Sequence, residues 1–234
     1  MSNIFYLLLS AVIGYLFGAI PVGFLLVRIV KGIDLREFGS GRTGGTNSFR
    51  AGGVIVGVLT SILDVVKAAC AVWIVRALFA DQLPAAWLPW AEVASGIMSV
   101  IGHNWSIFLG FKGGAGTGPN VGWAGAIWLP IVPAAVIVVL GVLIFVGIAS
   151  IASLAMSAVI PIAFALLYLA GVAPYDSTLA YMVGGIIAGA IIAWSLRTNI
   201  RRLLRGEERI VGPRAKRRQR KAEKAQKHSS DSAS

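Results

Sequence analysis

The sequence predicts an all-α polytopic membrane protein with about seven transmembrane helices, and three observations predict it. Hydrophobic residues make up 57% of the 234, only 13% are charged, and the mean hydropathy is +0.80. The apolar residues form long continuous runs rather than a period-two alternation. Roughly 20 helical residues cross a bilayer's hydrocarbon core, so such runs read as helical spans and not as barrel strands. Basic residues gather in particular gaps between the runs, and this orients the spans.

The first run, from about Asn3 to Val30, lacks a basic start and is too long for a signal core, so it reads as a retained transmembrane helix. Arg28, Lys31, Arg36, Arg42 and Arg50 place its far end in the cytoplasm and its N-terminus outside. A second helix follows from about Gly52 to Phe79. The next loop, "ADQLPAAWLPW", is acidic or neutral and carries interfacial tryptophans, so it lies outside. A third helix, from about Ala91 to Leu109, returns to Lys112. The apolar region from about Gly118 to Leu196 then needs an even number of spans to leave the basic tail inside. Four short helices fit, broken at "LPIVP", "GIASIAS" and "GVAPYDS".

Of the 21 Lys and Arg, thirteen lie between Arg197 and Lys227. Beside a membrane span this charge suits anionic headgroups better than nucleic acid. The chain divides into an integral-membrane domain, 1–208, and a basic, disordered cytoplasmic tail, 209–234. The lone Cys70 implies no disulfide, and with only His103 and His228 no metal centre is expected.

Three polar segments share the cytoplasmic face: "EFGSGRTGGTNSFR" (37–50), "GHNWSIFLGFKGGAGTGPN" (102–120) and "LRTNIRRLLRGEE" (196–208). In the first, glycines let the backbone turn and approach a ligand, so that its N–H groups can cup an anion. Ser40, Thr43, Thr46 and Ser48 add hydroxyls, and Arg42 and Arg50 add charge suited to phosphate. Thr46 or Asn47 is placed to cap the second helix. A capped, flexible connection with cytoplasmic arginines accounts for the same residues. The second segment sets glycines around Lys112 without the spacing of a nucleotide phosphate loop. His103 fits a ligand contact or a structural hydrogen bond, and Phe108 stands where a His-x4-Asp dyad would need its acid. Asn199, Arg201 and Arg202 cluster in the third. Asp64 and Lys67, spaced i, i+3, can pair on one helix face and should turn inward, bracing the site or packing two helices. No Ser-His-acid triad is evident. Three anion-friendly segments on one membrane face therefore suggest a phosphate-handling reaction driven by positioning and charge.

At these residues the sequence resembles the bacterial acyl-phosphate:glycerol-3-phosphate acyltransferases, seven-helix enzymes of the inner membrane. Gly39–Asn47 with Arg50, Gly102–Gly116, and Asn199–Glu208 match the family's three motifs in order, and Asp64 and Lys67 match its D-x-x-K pair. The resemblance implies acyl transfer from acyl phosphate to the 1-hydroxyl of glycerol 3-phosphate, giving lysophosphatidic acid and phosphate, without a cofactor. It implies catalytic roles for Ser40, Arg50, Lys112 and Asn199. Phosphate contacts fall to Gly39, Gly41, Arg42, Gly44, Thr46, Asn47, His103, Gly113, Gly114 and Gly116, with Asp64 and Lys67 in support. The site would face the cytoplasm, and the acyl chain would lie between helices. The chain departs from the family at Arg42 and Gly45, at Ala115 and Leu196 (usually lysine and histidine), and at Gly147 (usually arginine). A paralogue with another phosphorylated acceptor, or without catalysis, stays open, as does a small anion transporter. The polar residues lie mostly at one surface rather than at the midplane, which counts against the transporter.

Overall fold

A computed structural model describes residues 2–175, 178–208 and 210–211. Apart from positions 210 and 211, the predicted disordered tail lies outside the described residues. The described chain is helical, in the order α1 (Asn3–Ala19), α2 (Val22–Lys31), α3 (Gly45–Gly52), α4 (Val54–Phe79), α5 (Leu88–Asn104), α6 (Thr117–Ile127), α7 (Ile131–Phe145), α8 (Ala149–Leu169), α9 (Ala180–Ser195) and α10 (Arg197–Leu204). Three stretches are long and apolar enough to cross a membrane: Asn3–Lys31, Val54–Phe79 and Ala149–Leu169. The α9–α10 pair adds a fourth if its 65° bend is taken within one span. Exposed Leu8, Ile55, Ile137 and Ile162 give the bundle an apolar outer surface suited to lipid.

The breaks expected between Gly118 and Leu196 fall where α6, α7, α8 and α9 separate. Three expectations need correction. The first helix is interrupted at Ile20 and Pro21, since proline has no N–H to continue the ladder, although Asn3–Lys31 still runs as one span. The third helix begins at Leu88 and stops at Asn104, and Ile107–Leu109 is a separate 3-10 turn. Thr46 and Asn47 do not cap the second long helix: they lie inside α3, and α4 begins after Gly53.

Helix packing follows from small residues. Gly14 and Gly18, one turn apart on α1, lie against the backbone of Ser95 and Ser99 on α5, where a methyl group would collide. This close crossing is the small-residue contact by which helices associate where lipid removes the hydrophobic drive. Trp123 of α6 is fully buried, stacks on Phe164 of α8 and donates its indole N–H to Asn120. Towards the chain reversal that joins α4 and α5, Glu92 accepts from Arg76 at 2.6 Å and from the Tyr181 hydroxyl at 2.7 Å, joining α4, α5 and α9. At the other end, the Val211 amide donates to Gly147 O at 2.7 Å and Ile210 bridges Ile148. The residues after α10 thus return to the α7–α8 turn.

Candidate active site

The connection between α2 and α3 is built around Asn47. Its carboxamide is buried in α3, donates to the carbonyls of Leu35, Phe38 and Arg42, and accepts from the Ser40 amide at 3.1 Å. An amide side chain has two donors and one acceptor oxygen, so Asn47 is used up in shaping the loop. Asp34 caps the 3-10 turn Leu35–Glu37 through the Arg36 amide and pairs with the Arg36 guanidinium at 2.6 Å. Hydrogen bonding from that guanidinium is the largest cause holding the Asp34 pKa down at about 2.

Below the loop lies a buried polar cluster. The Lys67 ammonium donates to Ile20 O at 2.8 Å, pairs with the Asp64 carboxylate at 2.8 Å and lies 3.1 Å from His103 Nδ1. The same Nδ1 lies 3.4 Å from Asp64 Oδ1, so lysine, carboxylate and imidazole form one buried cluster. The Gly113–Gly114 turn lies directly over His103. A Cβ at Gly113 would strike the His103 carbonyl, and one at Gly114 would strike the imidazole. The Gly114 amide donates to His103 O at 3.0 Å, fixing the turn in place. Asp64 and Lys67 thus support the glycine turn as well as joining α4 to the α1–α2 break.

Above this floor a cavity of about 560 Å³ opens between the three polar segments. Seven expected residues line it: Ser40, Gly41, Arg42, Lys112, Gly113, Gly114 and Asn199. Gly39, Gly44, Thr46, Asn47, Arg50, His103 and Gly116 do not, although Gly44 opens α3 and Gly116 opens α6. Arg202, expected to cluster with Asn199, also lines it, as do Asp34, Arg36, Glu37, Asn104, Trp105, Ser195, Arg197 and Thr198 beyond the expected set. Most flank the motif residues closely, so proximity was the signal that could have found them. Ser195, just ahead of the third segment, carried no mark of its own.

Five cations and two carboxylates face the cavity, but most of the cations are engaged. Arg36 pairs with Asp34, and Arg202 pairs with Glu208 at 3.0 Å. Arg197 lies over the Trp194 ring, 5.0 Å from its centre. Arg42 reaches across to Gly114, Ser195 and Asn199. Burial, then the nearby positive charges of Arg202 and Arg197, press its pKa below the ordinary arginine value. Lys112 is exposed, and among the described residues nothing pairs with its ammonium. The arrangement offers an anion one open ammonium, the Ser40 hydroxyl and the glycine turn.

Residues 8–206 match the family model of glycerol-3-phosphate acyltransferase. Glycerol-3-phosphate acyltransferases of Rippkaea orientalis and Erythrobacter litoralis are 37% and 39% identical to this chain, each over 87% of it and over 92% and 94% of their own lengths. Two crystal structures of PlsY, an integral membrane glycerol 3-phosphate acyltransferase, superpose with TM-scores of 0.73 and 0.72 at 33% and 32% identity. Each covers 88% of this chain, and the two are its glycerol 3-phosphate and lysophosphatidic acid forms. With the match covering the first two polar segments, most of the third and the fold that joins them, this chain belongs to the glycerol-3-phosphate acyltransferase family.

Proposed function

We propose that this protein transfers a fatty acyl group from acyl phosphate to the 1-hydroxyl of glycerol 3-phosphate, releasing lysophosphatidic acid and inorganic phosphate. The observation that carries the reading is the cationic cavity at one end of an apolar helix bundle, in a chain similar to PlsY in its glycerol 3-phosphate form. Both substrates carry a phosphate and one also bears a fatty chain, so a cationic cavity beside an apolar bundle suits both.

Acyl phosphate is a mixed anhydride and already activated. The acceptor oxygen bonds to the acyl carbon, the bond from that carbon to the phosphate oxygen breaks, and the hydroxyl proton passes to a phosphate oxygen. The protein then has to align the hydroxyl and hold two anions despite their repulsion. Lys112 and Ser40 are assigned to phosphate contacts, and Asn199 to the acceptor. Asp64, Lys67 and His103 hold the glycine turn and take no direct part. The chain is assigned seven spans, N-terminus outside and C-terminus inside, in the bacterial inner membrane with the cavity facing the cytoplasm. The excess of Lys and Arg at the cavity end supports that orientation.

The test is an assay of purified protein with palmitoyl phosphate and glycerol 3-phosphate, following lysophosphatidate and phosphate release. Folded protein that gives neither product would overturn the assignment.

A further inference from the structure

Arg42 lines the cavity, but its guanidinium is turned into the protein. Nη1 donates to Gly114 O at 3.1 Å and to Ser195 Oγ at 3.2 Å. Nη2 donates to Ser195 O at 2.7 Å and to Asn199 Oδ1 at 3.2 Å. The two terminal nitrogens of a guanidinium carry four N–H groups, and here four acceptors meet them. The fork that would grip a phosphate is therefore already occupied.

The acceptors lie in the second polar segment, at Ser195 just ahead of the third, and in the third itself. Gly114 belongs to the turn above His103. Ser195 ends α9, where the chain bends by 65° into α10, and its carbonyl lies at the negative end of the α9 dipole. Asn199 stands on the first turn of α10. Its Oδ1 faces Arg42 while its Nδ2 donates to Glu208 at 2.9 Å, and Glu208 also accepts from Arg202 at 3.0 Å. The amide is thus held between a cation and an anion, leaving one N–H of Nδ2 for a ligand.

We infer that Arg42 is a positioning residue: it locks the glycine turn to the α9–α10 bend and fixes the direction in which Asn199 presents its amide to the acceptor substrate. It acts through Asn199 and the turn rather than by touching phosphate. This rests on the acyltransferase reading above. A lysine cannot replace it, because one ammonium is a point donor and cannot span three segments.

Full-length wild type, Arg42→Ala, Arg42→Lys, Asn199→Ala and the Arg42→Ala/Asn199→Ala double variant are compared with palmitoyl phosphate and glycerol 3-phosphate. Amide hydrogen exchange of residues 110–116 and 195–205 is measured on the same proteins without substrate. Arg42→Ala is expected to lower kcat/KM for glycerol 3-phosphate about 100-fold, the scale of a small misplacement of a reacting group. Arg42→Lys is expected to recover less than about tenfold of this. The double variant should be no worse than the worse single one, because the two residues work as a unit. Exchange should quicken in both segments in Arg42→Ala and Arg42→Lys. Losses that multiply in the double variant would make Arg42 an independent ligand and overturn the inference. Unchanged exchange would overturn it as well. If Arg42→Ala does not fold, Arg42→Lys carries both measurements. If wild type gives no product, the acyltransferase reading falls, and the exchange data still decide whether Arg42 locks the segments together.

Discussion

The Lys67 ammonium sits 2.8 Å from the carbonyl of Ile20, at the point where Pro21 interrupts the first span. A proline break inside an apolar segment leaves backbone carbonyls that lipid cannot satisfy; the Val22 amide donates to Ile20 O at 3.0 Å, and a second donor comes from a neighbouring helix. Lys67 supplies it from α4 while balancing the buried Asp64 carboxylate. Lys67→Met removes both functions and strands a charge, at a cost of about 3 to 5 kcal/mol. Thermal unfolding in detergent should fall accordingly. The double variant Asp64→Leu/Lys67→Met removes the charge together with its partner and should be less damaging than Lys67→Met alone.

The glycine turn gives a prediction that separates the site from the scaffold. Gly114 passes so close to the His103 ring that a Cβ would overlap it. Gly114→Ala must lift the turn, displacing Lys112 and breaking the amide contact to His103 O. Activity should fall by about 100-fold or more. The unfolding temperature should change less than in Lys67→Met, since the ion cluster below keeps its partners. Near-normal turnover would show that the turn does not set the site.

How much of this was legible in the sequence depended on whether the cause was local. The separations of α6, α7, α8 and α9 were readable because glycine and proline punctuate apolar runs directly. Pro21 was equally visible, but the side-chain donor that reaches the carbonyl before it, Lys67, lies 47 residues away. Asn47 looked like a cap by type and like a ligand by the family resemblance. Its actual work depends on three carbonyls that converge only once the loop is folded. The site's charge was apparent from composition, but its distribution was not. Asp34 engages Arg36, Glu208 engages Arg202, and Arg42 is spent on neighbours. Arg42 was the departure most in need of explanation. Its acceptors at Gly114 and Ser195 directly precede Ala115 and Leu196, two other departures from the family pattern.

The Asp34–Arg36 pair gives an expectation for pH. Hydrogen bonding from Arg36 lowers the Asp34 pKa to about 2. A carboxylate lowered in this way adds its stabilisation above the ordinary aspartate pKa, about 4, and loses it as pH falls through the folded value. The pair should therefore stay ionised from about pH 5 upward, and Asp34 should leave no inflection in the activity profile there. Asp34→Asn keeps an oxygen for the Arg36 amide but releases the guanidinium, which also faces the cavity. The KM for anionic substrate should drop severalfold at low ionic strength, and salt should remove the difference. A KM that is unchanged at low salt would mean that Arg36 does not act on the cavity.

Lys112 differs from every arginine in the cavity wall in having an exposed ammonium with nothing paired to it among the described residues. Its position is fixed from below by the turn over His103, so the charge is held near the site while the side chain stays open to a ligand. A charge-assisted contact to phosphate contributes about 1.5 to 3 kcal/mol, which corresponds to roughly 10- to 100-fold in affinity. Lys112→Ala should raise the KM for one of the phosphate substrates by that factor, with a smaller change in kcat and no change in unfolding temperature. Lys112→Arg keeps the charge and should restore much of the loss. The result separates the two cations across the cavity. Arg42→Ala should speed exchange in two segments, whereas Lys112→Ala should act chiefly on binding and leave exchange there unchanged. An unchanged KM for both substrates in Lys112→Ala would assign this lysine to membrane orientation rather than to the site.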